Sequence, residues 1–66
     1  MNEEQLQQDI RRLLKTFGVG AQREIERIVR EALAAGTLAA GQPVPVRARL
    51  EILGREFVVE DELRTS

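Results

Sequence analysis

Leu6, Ile10, Leu13, Leu14 and Phe17 recur at intervals of four, three, one and three residues, the spacing of one helix face. Asn2 stands where an N-cap belongs, and Gln5 is placed as its partner in a capping box. Glu3 and Glu4 lie at the positive end of the helix dipole, with Arg11, Arg12 and Lys15 toward the negative end. Gly18 reads as a left-handed closing residue with Val19 folding back on Leu14, so the spacing predicts a helix over 2–17. A second stripe, Ile25, Ile28, Val29, Ala32 and Leu33 with Ala21 at its upper end, predicts a helix over 21–35 closed by Gly36. So tight a connection makes either an antiparallel helical hairpin or a more open helix-turn-helix corner.

After Gly36 the period changes. Residues 36–45 contain Pro43 and Pro45 and read as an extended connector. Residues 46–63 alternate in polarity and fold onto themselves as a hairpin if Gly54-Arg55 forms a two-residue type II′ turn. Val46 then faces Leu63, Leu50 faces Val59 and Ile52 faces Phe57; on the other face Arg47 meets Glu62 and Arg49 meets Glu60. Asp61 alone breaks this pattern, falling opposite Ala48 on the apolar face, where it reads as a solvated residue at the open end of the sheet. The predicted fold is α+β, two N-terminal helices followed by a two-stranded antiparallel β-hairpin (ααββ), in one domain over 1–66. Its predicted core is Leu6, Ile10, Leu13, Phe17, Ile25, Val29, Ala32, Leu33, Leu50, Ile52, Phe57 and Val59.

Sixty-six residues lie near the lower limit at which one chain buries enough apolar surface to fold alone. A hydrophobic fraction of 42% with 32% charged residues is that of a globular chain and not a disordered one. Acids and bases balance in both parts: six and six over residues 1–36, five and four over 37–66. With a net charge of −1, no basic surplus points to phosphate. The acidic N-terminus is unlike a secretory signal, no apolar run has spanning length, and cysteine is absent. These features predict a cytoplasmic protein that does not engage membranes.

The same composition argues against catalysis. Without His, Cys, Tyr or Trp the usual near-neutral acid–base groups and thiol nucleophiles are missing. Thr16, Thr37, Thr65 and Ser66 have no imidazole to activate them. Glu60-Asp61-Glu62 lacks the turn glycine and ligand spacing of a calcium loop, and there are no soft metal ligands. Gly18-Val19-Gly20 matches only the start of a dinucleotide loop, since Arg23 occupies the last glycine position and no strand precedes it. The chain is therefore expected to be no enzyme and to hold no metal or cofactor.

Two functional classes remain. A self-associating or protein-interaction module fits Leu53 and Val58, which the register places on the charged face of the hairpin with no core to join. Both strands are also open edges, which predicts a homodimer joined by strand addition, with helix packing between protomers as the other geometry. The alternative is a winged-helix-like DNA binder, in which Gln22, Arg23, Arg27 and Arg30 line a reading helix. Against it stand the balanced charge, the interleaved Glu24, Glu26 and Glu31, and the lack of a third helix.

The opening Met1-Asn2-Glu3 and the run from Gly18-Val19 through Gln22-Arg23-Glu24-Ile25-Glu26 resemble a family of short bacterial proteins of unknown function. The resemblance covers roughly Met1 to Glu62 and implies helices followed by a β-hairpin. It departs where Gly20 and Ala21 replace the Ser or Thr of other members, a hydroxyl that would cap a second helix. The resemblance implies no activity, cofactor or site residue.

Overall fold

The structure, a computed structural model, describes residues 1–65. It has three elements: helix α1 (Glu3–Ala35), strand β1 (Val44–Ile52) and strand β2 (Arg55–Leu63). The α+β class and the hairpin agree with the sequence reading; the number of helices does not.

One continuous helix replaces the expected pair over 2–17 and 21–35. Neither Gly18 nor Gly20 takes a positive φ, so no left-handed residue stops the chain there. The physical reason is continuity of the apolar stripe. Phe17, Ala21 and Ile25 follow at steps of four, so the apolar face passes the glycines as one slowly winding stripe with no break. Each glycine costs roughly 1 kcal/mol relative to alanine, too little to break a helix that no proline or capping residue interrupts. At its N-terminus the Gln5 N–H donates to Asn2 Oδ1 at 3.1 Å. The Gln5 side chain does not return the bond and donates instead to Asp9 Oδ1 at 3.0 Å, leaving half of the expected box. Gly36 ends the helix as expected, at φ 76°, with the Thr37 N–H donating to the Ala32 carbonyl at 3.0 Å.

The hairpin is displaced by two residues from the expected register. Its turn is Leu53-Gly54, not Gly54-Arg55, with φ of 50° and 73°, and positive values at both central residues mark type I′. Val44 pairs with Leu63, Val46 with Asp61, Leu50 with Phe57 and Ile52 with Arg55. A shift of two keeps the paired side chains on their expected faces, since the strand period is two, and only Leu53 leaves its strand for the turn. It also lengthens the first strand at its start, so that Val44 and Pro45 belong to β1 and not to the connector. Pro45 faces Glu62. Counting from the bonded pair Ile52–Arg55 beside the turn, that is a non-hydrogen-bonded site, where the missing N–H of proline leaves the ladder intact.

The tail is tied to the connector. The Gly41 N–H donates to Thr65 Oγ1 at 2.9 Å, and the Thr65 hydroxyl donates to the Gln42 carbonyl at 3.3 Å.

The expected core does not form: no described residue is buried. The best-covered positions are half-buried, among them Ala21, Ile25, Val29 and Ala32 on the C-terminal half of α1 and Val44, Val46, Ala48 and Leu63 at the open end of the hairpin. Thirty-three helical residues at about 1.5 Å each span about 50 Å, matching the 51 Å long dimension. The radius of gyration is 15.8 Å, against about 11 Å for a compact domain of this length.

Candidate functional site

The apolar stripe of α1 winds as it runs. With 3.6 residues per turn, Leu6, Ile10, Leu13 and Phe17 centre roughly 80° around the helix from Ala21, Ile25, Val29 and Ala32. Half-burial in this stripe falls at the second group, while the first stays exposed. What results is a cleft of about 380 Å³, walled by Leu13, Leu14 and Phe17 of the helix and by Ala48, Leu50, Phe57 and Val59 of the hairpin. Arg49 and Glu51 stand at its rim. Its aromatic walls are open to water: Phe17 is 55% exposed and Phe57 63%. Leu6 and Ile10 continue the same face toward the N-terminus, beyond the helix wall of the cleft.

A larger hollow, about 610 Å³, borders Pro45, Val46, Arg47, Glu60, Asp61 and Glu62. Those residues alternate between the two faces of the ribbon, so the hollow wraps an exposed strand pair and encloses nothing. Its one base is already matched, with Arg47 Nε 3.1 Å from Glu60 Oε1. Arg49 binds Glu56 at 3.2 Å and Glu51 at 3.5 Å, bridging two carboxylates that face each other across the sheet. Arg47 was expected to meet Glu62 and Arg49 to meet Glu60; the register shift sets Glu60 opposite Arg47 and Val58 opposite Arg49, so Arg49 turns to Glu56 and Glu51 instead. Asp61 stays on the apolar face but opposite Val46, and its Oδ1 accepts from the Glu62 N–H at 2.7 Å.

The expected interface residues separate. Val58 lies opposite Arg49 on the charged face and is 40% exposed. Leu53 is not on that face; it occupies the turn and is 95% exposed.

The residues of the DNA-binding alternative lie on α1, but without a turn there is no helix-turn-helix to present them. Gln22 donates to Glu26 at 3.3 Å, and Arg30 lies 3.9 Å from the same carboxylate. Arg27 is clasped by Glu24 and by Glu31, the latter at 2.8 Å. The hydrogen bonds and charge of Arg27 hold the Glu24 carboxyl below its ordinary range, and the two glutamates raise Arg27 in turn. Of the four, only Arg23 has no such partner among the described residues. A guanidinium already matched by carboxylates has little left for a phosphate.

Among the described residues no three acidic or metal-ligating side chains cluster as a metal site, and no helix is long and apolar enough to cross a membrane. Of the four hydroxyls weighed above, Thr65 serves the tail, Thr37 donates to the Ala32 carbonyl, and Ser66 lies outside the described residues. The cleft was missed by sequence reasoning because its residues were assigned to a closed core; the winding of the stripe was the signal that could have found it.

The model of a protein family described as a family of unknown function, DUF6494, matches residues 1–66. No curated protein and no solved structure matches the chain.

Proposed function

The chain belongs to DUF6494, a family of unknown function, and on that premise we propose that it is a non-catalytic, self-associating module of the cytoplasm that works as a homodimer. The observation that carries this reading is the uncovered apolar cleft in a protein none of whose described residues is buried. A chain of this length has little stability to spare even when its core is closed. Association supplies the missing burial, because each copy offers the apolar surface that the other needs. The non-catalytic part rests on composition: no His, Cys, Tyr or Trp is present to move protons or attack carbonyls near neutral pH. Sedimentation equilibrium at micromolar concentration tests the association. The expected species has twice the chain mass; a clean monomer overturns the proposal.

A further inference from the structure

The Phe17 side of α1 and the free edge of β1 face the same direction. Ala21, Ile25, Val29 and Ala32 are half-buried on the helix, as are Val44, Val46, Ala48 and Leu63 on one face of the hairpin, and in a chain of three elements each set has the other to cover it. Ile10, Leu13 and Phe17, centred roughly 80° around the helix, therefore look sideways along the plane of the sheet. They look toward β1. Arg49 and Glu51, from the outer face of that strand, border the cleft, and no outer-face residue of β2 does. Counting from the bonded pair Ile52–Arg55, Arg47, Arg49 and Glu51 stand at non-hydrogen-bonded sites, so their N–H and C=O groups point away from β2.

We propose that β1 joins β1 of a second copy antiparallel about a two-fold axis at Leu50, making a four-stranded sheet with two antiparallel helices on one face. This rests on the self-association reading above and specifies its geometry. In that register Arg49 of each copy stands opposite Glu51 of the other, and Pro45, which has no N–H to give, falls outside the joined stretch. A base and an acid two residues apart on one open edge make β1 complementary to itself, which selects a second copy of the same chain. Centring the axis on Arg47, Ala48, Arg49 or Glu51 instead would set like charges opposite each other. The two helices then lie two strand spacings apart, about 9–10 Å, near the roughly 8–10 Å at which helices pack. Their Phe17 sides turn toward each other beside the axis, since Phe17 and Leu50 line the same cleft. The two clefts meet there and close as one core. Glu24 faces the same side two turns beyond Phe17, where Arg27 already holds its carboxylate.

The other strand joins fit less well. The outward sites of β2 are Glu56, Val58, Glu60 and Glu62, so joining β2 to β2 gathers acids from both copies with no base among them, and it leaves the cleft open. Joining β1 to β2 leaves a free edge at each end and runs on as a fibre. It also turns the Phe17 side of one helix toward the Arg11 and Lys15 side of the next.

The chain has no cysteine, so crosslinking reads the geometry directly. Leu50→Cys should give a disulfide-linked dimer under mild oxidation, because a non-hydrogen-bonded pair on the axis has its Cα atoms about 4.5 Å apart, within disulfide range. A matched pair of prolines then tells the two edges apart. Arg49 and Val58 face each other across the hairpin at a non-hydrogen-bonded site, so proline at either removes an outward N–H and spares the β1–β2 ladder. Arg49→Pro should weaken the dimer by about tenfold or more, since symmetry removes two donors and two charge pairs, whereas Val58→Pro should leave it intact. Circular dichroism separates lost contact from lost folding, and the Leu50→Cys crosslink reads the axis independently of either proline. A dimeric wild type in which Leu50→Cys stays uncrosslinked, or in which Val58→Pro dissociates the dimer and Arg49→Pro does not, overturns the β1 pairing and leaves self-association standing. Species that grow beyond the dimer with concentration overturn it in favour of open-ended joining. A monomeric wild type removes both the pairing and the self-association.

Discussion

Ile52 pairs with Arg55 across the sheet, which leaves Leu53 and Gly54 alone to make the turn and holds Leu53 at a φ of 50°. A left-handed conformation costs an L-residue with a branched carbon chain roughly 1–2 kcal/mol, and Leu53, 95% exposed, regains nothing by burial. Asparagine or glycine fits the first central position of a type I′ turn. Leu53→Asn is therefore expected to stabilise the hairpin by about 1 kcal/mol, seen as a higher melting temperature. Under the register expected from sequence Leu53 would be a strand residue, and the same change would lower it.

Gly18 and Gly20 supply a second test with a definite sign. Both lie inside α1 without positive φ, and a Cβ added at either would meet nothing within 4 Å. Gly18→Ala and Gly20→Ala should each stabilise the protein by up to about 1 kcal/mol through helix propensity and a less disordered unfolded chain. If the chain turned at Gly18 in a left-handed conformation, alanine there would destabilise it. Thermal melts of the two variants decide between one helix and two.

The glycines explain what was legible in the chain and what was not. Periodicity identified helical residues on both sides of Gly18-Val19-Gly20, and Asn2 and Gly36 marked the outer ends correctly. Read locally, two glycines resemble a stop signal; the unbroken steps of four from Phe17 to Ala21 to Ile25 carried the contrary information. Alternation placed each hairpin residue on its face, yet face alone does not distinguish registers two residues apart. Turn chemistry decided that, and Gly54 serves either a II′ turn as its first central residue or a I′ turn as its second. The cleft was hidden for a different reason. Apolar residues at helical and strand spacing say which surfaces seek cover, not whether one short chain has enough surface to cover them all.

Acidification should loosen the C-terminal half of α1 selectively. Arg27 depresses the pKa of Glu24 in the folded helix, so the carboxylate form is favoured more when folded than when unfolded. The stabilisation is present above the unfolded pKa and is lost as pH falls through the lowered folded value. Helix content followed by circular dichroism should drop across that acid window, and Glu24→Gln should flatten this part of the curve while lowering helix content at neutral pH. An identical acid profile in the variant would show that the contact contributes no net stability.

The consequence of an open cleft is clearest at Phe57. In a closed monomeric core, removing this ring would cost about 3–5 kcal/mol at any protein concentration. Here the ring is 63% exposed in the single chain and lines the cleft that the proposed dimer fills. Its removal should therefore act mainly on association. The wild-type melting temperature should rise with protein concentration, as mass action requires when folding and assembly are coupled. Phe57→Ala should reduce that dependence and shift the monomer–dimer equilibrium toward monomer by tenfold or more, with each 1.4 kcal/mol of lost burial worth about a factor of ten. Melting curves over a hundredfold dilution range, paired with sedimentation of both proteins, measure the two quantities separately. A large loss of stability that is the same at every concentration would mean that Phe57 is covered within its own chain.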